Sequence, residues 1–263
     1  MKPLSVDVEP VRLFGVPVHP VTMPQALDIA DRAIVRRERL RIGVVNAAKV
    51  VNMRRNPELE EDVTSSDLVL ADGIAVVWAS RILGHALPER VTGIDLMMGM
   101  LRRGNERGYR VYCLGATDEV LRKVIERIGS DYPNVVLAGW HHGYFSQNEE
   151  AQLADLIAVA RPDILLVAMT SPKKEKFLAQ WSAHIAAPVC HGVGGSFDVL
   201  AGKVQRAPES WQRLGLEWLY RLKQEPSRLW RRYLVTNTLF CSMLVVEFWR
   251  KLRNGSTARR TEI

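Results

Sequence analysis

The sequence predicts a Rossmann-like α/β fold: a mostly parallel sheet with helices on both faces, followed by a helical C-terminal appendage. Short β-branched runs alternate with longer amphipathic segments, and the short runs are apolar almost throughout. Such runs are typical of strands buried on both faces of a parallel sheet. After Gly202 the spacing of apolar residues is helical and no segment has a strand pattern. We therefore expect a Rossmann-like core over residues 1–205 and a basic helical appendage over residues 206–263.

Six strands and six helices are predicted in the core, in alternation. The strands are Ile42–Asn46, Asp67–Ala71, Arg110–Leu114, Val135–Ala138, Asp163–Ala168 and Val189–Val193. The helices are Ala47–Arg55, Ile74–Leu83, Ile94–Arg107, Asp118–Ser130, Asn148–Ala160 and Lys173–Ala186. Because ligands of such folds bind at the carboxyl ends of the strands, the residues at those ends are the first candidates for a site.

The appendage combines a helical pattern with an uncharged stretch. Pro226 is placed to begin a helix, since proline is tolerated in a first turn. Tyr233–Val246 has no charged residue and is flanked by basic ones, but it is shorter than the ~20 apolar residues that span a bilayer. Two interpretations stay open: a helix lying in a membrane interface, and a terminal helix packed on the core.

The net charge of +7 resides in the appendage. Residues 206–263 carry 12 basic and 5 acidic side chains, an excess equal to the whole net charge, whereas residues 1–205 carry 24 of each. A cationic segment of this kind suits nucleic acid, an anionic membrane surface or a diphosphate group.

The N-terminal sequence and the cysteines indicate the compartment. The first ten residues include acidic side chains and no apolar core segment, so we expect no secretory signal. Cys113, Cys190 and Cys241 lie far apart in apolar surroundings and form no CxxC pair. Such a set is typical of buried free thiols in a reducing compartment, and we expect a cytoplasmic protein.

Glycines and polar residues follow several predicted strands. Asn46, Asp72, Gly115, Thr170–Lys173 and Gly192–Gly195 all lie at strand ends. Glycines there let backbone N–H groups approach a phosphate, and the start of the next helix adds a favourable partial charge. Neither a GxGxxG fingerprint at the first strand nor a GxxxxGK[ST] loop is present, which argues against a nucleotide-dependent oxidoreductase and a P-loop enzyme.

Together these segments resemble the bacterial WecG/TagA/CpsF glycosyltransferase family. The resemblance extends from about Gly43 to Arg232. It is carried by NAAKVV, SSDLVLADGIAVVWASRILG with PERVTGIDLM, TSPKKEKF, GVGGSFDVLAGKVQRAPESWQRLGLEWLYRL and QEPSRLWRRYL. Motifs of this length in this order are highly specific.

The resemblance implies an inverting transferase that moves a hexose or N-acetylhexosamine, of the N-acetylmannosamine type, from a UDP-sugar. The acceptor would be a sugar on undecaprenyl diphosphate, in cell-envelope or exopolysaccharide synthesis. The UDP-sugar is then a substrate, and no cofactor or metal is expected. The appendage would help to close the site, with the protein associated peripherally with the inner face of the cytoplasmic membrane. We expect no nucleic-acid partner and leave homo-oligomerisation open.

Asp72 is the predicted catalytic base. An inverting transfer needs a group that takes the proton from the acceptor hydroxyl as it attacks the anomeric carbon opposite UDP, and a strand-end carboxylate can do so. Asp72 matches the base proposed for the family. The alternative is a structural role, as an Asx turn or as the N-cap of the helix near Ile74.

Stabilisation of the leaving UDP is expected from backbone N–H groups and cationic side chains, because no DxD follows any predicted strand. The candidates are Gly194, Gly195, Arg90, Arg221, Arg228, Arg231 and Arg232. For the arginines the alternative is a surface ion pair. Asp198 could hold a hydroxyl of the ribose or sugar, or cap the next helix. Asn46, Gly115, Ser171 and Lys174 complete the predicted substrate-binding residues.

Two departures from the family pattern leave the donor sugar open. Some lipid-linked mannosaminyltransferases of the family have Thr where this chain has Val44, and Gln where it has Lys174. Both positions are expected near the sugar, so UDP-glucose and UDP-uronic acids stay alternatives.

A nucleic-acid-binding protein that uses the basic appendage is a further alternative, although the appendage lacks basic residues interleaved with aromatic ones for base stacking.

Overall fold

The computed structural model describes residues 1–258, and the side chains of Arg228 and of residues 254–258 lie outside the description. The strands are β1 Val11–Leu13, β2 Val16–Val18, β3 Leu40–Val45, β4 Leu68–Ala71, β5 Arg110–Gly115, β6 Val136–His141, β7 Ile164–Ala168 and β8 Val189–Gly192. A six-stranded, all-parallel sheet forms the centre, in the order β4-β3-β8-β7-β5-β6, and a two-stranded antiparallel hairpin, β1-β2, lies beside it.

Helices connect the strands and complete the layers. They are α1 Met23–Arg36, α2 Ala47–Met53, α3 Pro57–Thr64, α4 Ile74–Ile82, α5 Gly93–Arg107, α6 Asp118–Asp131, α7 Glu150–Ala160, α8 Lys173–Ile185, α9 Ser196–Leu200, α10 Glu209–Arg213, α11 Glu217–Gln224 and α12 Pro226–Ala258. The predicted fold class is confirmed, and each predicted core strand and helix is found with boundary shifts of a few residues. The hairpin, α1 and α3 were not predicted.

The sheet is buried on both faces. β4, β7 and β8 are buried at every position, so their apolar runs show no alternation. On one face α1 packs against α5, and α6 packs against α9. On the other face α3 contacts α2 and α8, and α8 contacts α7. The helices that follow β3 and β7 therefore cover one face of the sheet, and those that follow β5 and β8 cover the other face. Connections that turn to opposite faces open a crevice at the carboxyl ends of these strands.

The appendage packs on the core through its last helix. α12 contacts α2, and Phe240, which is 4% exposed, lies with its ring centroid 5.0 Å from that of Phe14. Leu229 is also buried. The helix therefore packs into the hydrophobic core on the α2 side of the sheet, as expected for a terminal helix packed on the core.

Another face of α12 stays exposed. Its exposed apolar side chains are Trp230, Leu234, Val235, Val245, Val246, Phe248, Trp249 and Leu252. In the part of the chain that the structure describes, no helix has the length and apolar character needed to cross a bilayer.

The expectation that all three cysteines are buried is wrong for one of them. Cys113 and Cys190 are buried, and burial raises the pKa of each thiol to about 12, but Cys241 is exposed because it points away from the core side of α12.

Candidate active site

A cleft of about 1000 Å³ opens at the carboxyl edge of the sheet. Most predicted site residues line it: Asn46, Asp72, Ser171, Lys174, Gly194, Gly195, Asp198, Arg221 and Arg232. They come from the ends of four strands and from the appendage, so the fold brings together what the sequence separates. The expectation that ligands bind at the carboxyl ends of the strands therefore located the cleft.

Asp72 follows β4 and faces the cleft with one oxygen held. Its Oδ1 accepts a hydrogen bond from the backbone N–H of Gly93 at 2.9 Å. Gly93 is the first residue of α5, where unpaired N–H groups and the helix dipole favour a negative charge. The N-cap of α4 is Gly73, and no side chain caps that helix. The capping alternative for Asp72 is therefore wrong.

Asn46 links Asp72 to the start of α2. Its Oδ1 accepts from the N–H of Lys49 at 3.0 Å and thereby caps the helix. Its Nδ2 lies 3.4 Å from Oδ2 of Asp72, to which it donates. The start of α5 thus orients Oδ1 of the carboxylate and the end of β3 orients Oδ2, and Oδ2 has the weaker contact of the two.

His191 supports the same region from beneath and was not among the predicted site residues. It is fully buried on β8, and its Nε2 lies 3.1 Å from the carbonyl oxygen of Gly93. Burial lowers the pKa of the imidazole to about 4, so the ring is neutral near pH 7 and must donate through Nε2–H to the carbonyl.

Two lysines and a glutamate form a buried cluster beside the cleft. Lys49 Nζ lies 2.7 Å from Oε1 of Glu175, and Lys174 Nζ donates to the same oxygen. Burial, with Lys49 close by, lowers the pKa of Lys174 to about 8. Burial opposes ionisation of Glu175, but the two ammonium groups outweigh it and lower the pKa of this carboxyl to about 2. Lys49 and Glu175 lie inside NAAKVV and SPKKEK, so the motifs contained the signal although neither residue was predicted.

The glycine-rich turn after β8 adopts a left-handed backbone. Gly194 has φ +53°, and the turn leads directly into α9. Asp198 does not cap α9, whose N-cap is Gly195 with no side-chain cap. An oxygen of the Asp198 carboxylate instead lies 3.8 Å from Nζ of Lys203, which also lines the cleft.

Gly115 does not line the cleft, although it lies beneath its wall. Its φ is +122°, and a Cβ there would lie 2.4 Å from the carbonyl oxygen of Ala168. Only glycine fits at this end of β5, where the loop at Gly143 closes over the strand through a hydrogen bond to Ala116. The residue therefore shapes the site through the backbone, and a direct substrate contact stays a prediction.

The predicted arginines divide into two groups. Arg221 and Arg232 line the cleft, whereas Arg231 is exposed outside it, with its guanidinium 5.3 Å from the ring centroid of Trp230. The side chain of Arg228 lies outside the described residues.

Arg90 fixes the appendage to the core. It pairs with Glu217 of α11 at 2.5 Å and donates to the carbonyl of Gln212 at 3.2 Å. The ion-pair alternative is what the structure shows for Arg90, and contact with substrate stays a prediction.

No group of three or more His, Cys, Asp or Glu side chains within the described part of the chain lies close enough together to hold a metal ion. The cationic side chains that line the cleft are those of Lys49, Lys173, Lys174, Lys203, Arg221 and Arg232.

An α/β fold with its cleft at the carboxyl edge of a parallel sheet, a strand-end carboxylate and surrounding cations defines the class: an enzyme of the group-transfer type. The chain belongs to the glycosyl transferase WecG/TagA/CpsF family, whose model matches residues 11–254. It is 39% identical over 180 residues to an N-acetylglucosaminyldiphosphoundecaprenol N-acetyl-beta-D-mannosaminyltransferase of Bacillus spizizenii, a match that covers 68% of this chain and 69% of the relative. It is also 40% identical over 172 residues to the protein of the same name in Bacillus subtilis, covering 65% of this chain and 66% of that one.

Proposed function

We propose that this protein transfers an N-acetylmannosamine-type sugar from a UDP-sugar to N-acetylglucosamine carried on undecaprenyl diphosphate. The observation that carries the proposal is the carboxylate of Asp72, held between Gly93 and Asn46 at the wall of a cationic cleft. The names of the two Bacillus relatives supply the sugar and the acceptor.

Asp72 acts as the general base. A carboxylate oxygen takes the proton of the attacking acceptor hydroxyl while the new C–O bond forms at the anomeric carbon. The bond from that carbon to the β-phosphate oxygen breaks on the opposite side, and UDP leaves with the electron pair. Protonated Asp72 then returns its proton to water, which completes the cycle with inversion.

Cationic side chains stabilise the negative charge on UDP. Arg221, Arg232 and Lys173 line the cleft, and two of them come from the appendage. Charge-assisted hydrogen bonds to phosphate oxygens in a partly enclosed cleft are stronger than in open water. Because the appendage supplies two of these cations, catalysis requires α11 and α12 to be in place.

The exposed face of α12 serves to bring the enzyme to its lipid-linked acceptor. Trp230 and Trp249 are among its exposed aromatic residues, and basic residues flank the uncharged stretch. Aromatic rings sit well at the level of lipid headgroups, and basic side chains add about 1 kcal/mol each near an anionic leaflet. This supports peripheral association with the inner face of the cytoplasmic membrane.

A screen of donors against defined acceptors tests the function. UDP-N-acetylmannosamine, UDP-glucose and a UDP-uronic acid would each be offered with a short-chain polyprenyl diphosphate bearing N-acetylglucosamine, and products identified by mass. We expect transfer from UDP-N-acetylmannosamine. Preferred transfer from another donor would correct the sugar but keep the reaction class, whereas hydrolysis or transfer with none of them would contradict the proposal.

A further inference from the structure

Three ionisable side chains meet at the wall of the cleft, between α2 and α8. Lys49 is 8% exposed, Lys174 7% and Glu175 8%. Both lysines donate to one oxygen of Glu175, and both line the cleft. A buried cationic group therefore borders the space available to substrate.

The cluster carries an excess of positive charge. Two ammonium groups share one carboxylate, and among the described residues Glu175 is the one acid that forms an ion pair with either lysine. Its other oxygen, Oε2, is buried without a hydrogen-bond partner in the described structure. Buried charges are costly unless they are paired or hold a ligand, so the unpaired positive charge favours an anion on the cleft side.

The backbone around the cluster is shaped to admit the lysines. A Cβ at Gly192 would lie 3.2 Å from both Cδ and Cε of Lys174, so glycine at the end of β8 lets this side chain pass close by. Lys49 is tied through its own N–H to Asn46, whose side chain also reaches Asp72. The cluster therefore lies next to the residues that orient the proposed base.

We infer that Lys49 and Lys174, held together by Glu175, form a subsite for one oxyanion group of the sugar-nucleotide donor. A phosphate of the diphosphate and a carboxylate on the transferred sugar offer the same chemistry, since both present anionic oxygens to ammonium donors. The inference rests on the proposed function.

Proton linkage gives the subsite a distinctive signature. Burial lowers the pKa of Lys174 to about 8, so this side chain is neutral in a large fraction of the protein molecules at pH 8.5. A bound anion favours the ammonium form, and binding at that pH must take up protons. The other charged or titratable groups near Lys174 are its two partners in the cluster, Lys49 and Glu175, and the neighbouring His191, Asp62 and Arg41.

Calorimetric titration of the full-length protein tests the subsite. The ligands are UDP, UDP-N-acetylglucosamine, UDP-glucuronic acid and inorganic pyrophosphate, each at pH 7 and 8.5 in two buffers of different ionisation enthalpy. Lys174→Gln and Lys49→Gln remove one charge each and keep a polar end. The control is Lys123→Gln, an exposed lysine of α6 paired with Glu119 at 3.0 Å. Circular dichroism verifies that each variant is folded.

We expect wild type and Lys123→Gln to take up protons on binding at pH 8.5, and Lys174→Gln to take up none. Loss of a charge-assisted hydrogen bond should weaken binding about tenfold to a hundredfold. Equal weakening for all four ligands identifies a phosphate as the occupant, and weakening confined to UDP-glucuronic acid identifies a carboxylate. Unchanged affinity for every ligand in both folded lysine variants overturns the subsite.

The same titrations distinguish a failure of the proposed function from a failure of the subsite. A wild-type protein that binds no uridine ligand contradicts the function, yet pyrophosphate binding that depends on Lys174 would still support the subsite. If pyrophosphate also fails to bind, the subsite is overturned with it.

Discussion

The backbone N–H of Gly93 donates a 2.9 Å hydrogen bond to Oδ1 of Asp72, which places the carboxylate at the positive end of α5. This contact joins the end of β4 to a helix that begins 21 residues later. It fixes one oxygen and leaves the other for Asn46 and the cleft. The proposed base is therefore oriented by backbone, which leaves few ways for the carboxylate to turn away.

Replacing Asp72 with Asn should abolish most of the transfer activity and preserve UDP binding. The amide oxygen can still accept from Gly93, so the fold is retained, but the amide cannot take a proton. Loss of a general base costs about 10²–10⁴-fold in rate. Measured kcat for transfer, beside the affinity for UDP, tests this. Asp155→Asn, which alters an exposed acid paired with His184, is the matched control. Turnover near the wild-type rate in folded Asp72→Asn would refute the assignment.

His191 should act on catalysis through Gly93. His191→Phe keeps the ring volume and removes the donor to the Gly93 carbonyl, so the first turn of α5 loosens over Asp72. Loss of one hydrogen bond corresponds to about a threefold to tenfold fall in kcat, with KM for the donor unchanged. His191→Gln restores an N–H donor and should recover part of the rate. In the Asp72→Asn background His191→Phe should have no further effect. Additive losses would show that the histidine acts independently of Asp72.

Buried His191 should also make the protein sensitive to acid. Its pKa is about 4 in the folded protein against an ordinary 6.5, so the unfolded chain binds the extra proton first as pH falls. Stability is therefore full above about pH 6.5 and is lost as pH falls towards 4, by up to about 3 kcal/mol. Urea unfolding at pH 7, 5.5 and 4.5 measures the slope of the unfolding free energy against pH. His191→Gln should show a shallower slope than wild type, and equal slopes would contradict the prediction.

Two residues of α12 should separate packing from membrane contact. Phe240 is 4% exposed against Phe14, and its replacement by Ala should destabilise the protein by about 3–5 kcal/mol. Trp249 is 60% exposed, and Trp249→Ala should change stability by less than about 0.5 kcal/mol while weakening flotation with anionic vesicles. The opposite pattern, with Trp249 stabilising and vesicle binding unaltered, would show that this face is not a membrane contact.

Transfer should continue in the presence of EDTA. The described residues form no group of three or more acidic, histidine or cysteine side chains that could hold a metal ion, and lysines and arginines line the cleft where we expect the diphosphate to bind. Initial rates with and without chelator, followed by added Mg²⁺ or Mn²⁺, provide the measurement. Activity lost to EDTA and restored by either ion would reveal a metal site.

The sequence by itself determined the layers and the edge of the sheet where the cleft lies. Local periodicity distinguishes strand from helix, and a strand's end is a local feature, so Asp72 and Asn46 could be placed before any contact was known. Helix α1 could have been predicted as well, because Thr22 and Gln25 form a capping box that is readable as T-x-x-Q. The three-residue strands of the hairpin are too short for their alternation to stand out.

Only the tertiary structure decided which side chains meet. Lys49 and Glu175 are 126 residues apart, His191 and Gly93 are 98 apart, and Arg90 and Glu217 are 127 apart. Periodicity carries no information on such pairs, because their proximity follows from strand order and from the side of the sheet to which each connection turns. For the same reason the pattern of α12 allowed both a docked and an interfacial helix. Packing of Phe240 on Phe14 decided which face turns to the core.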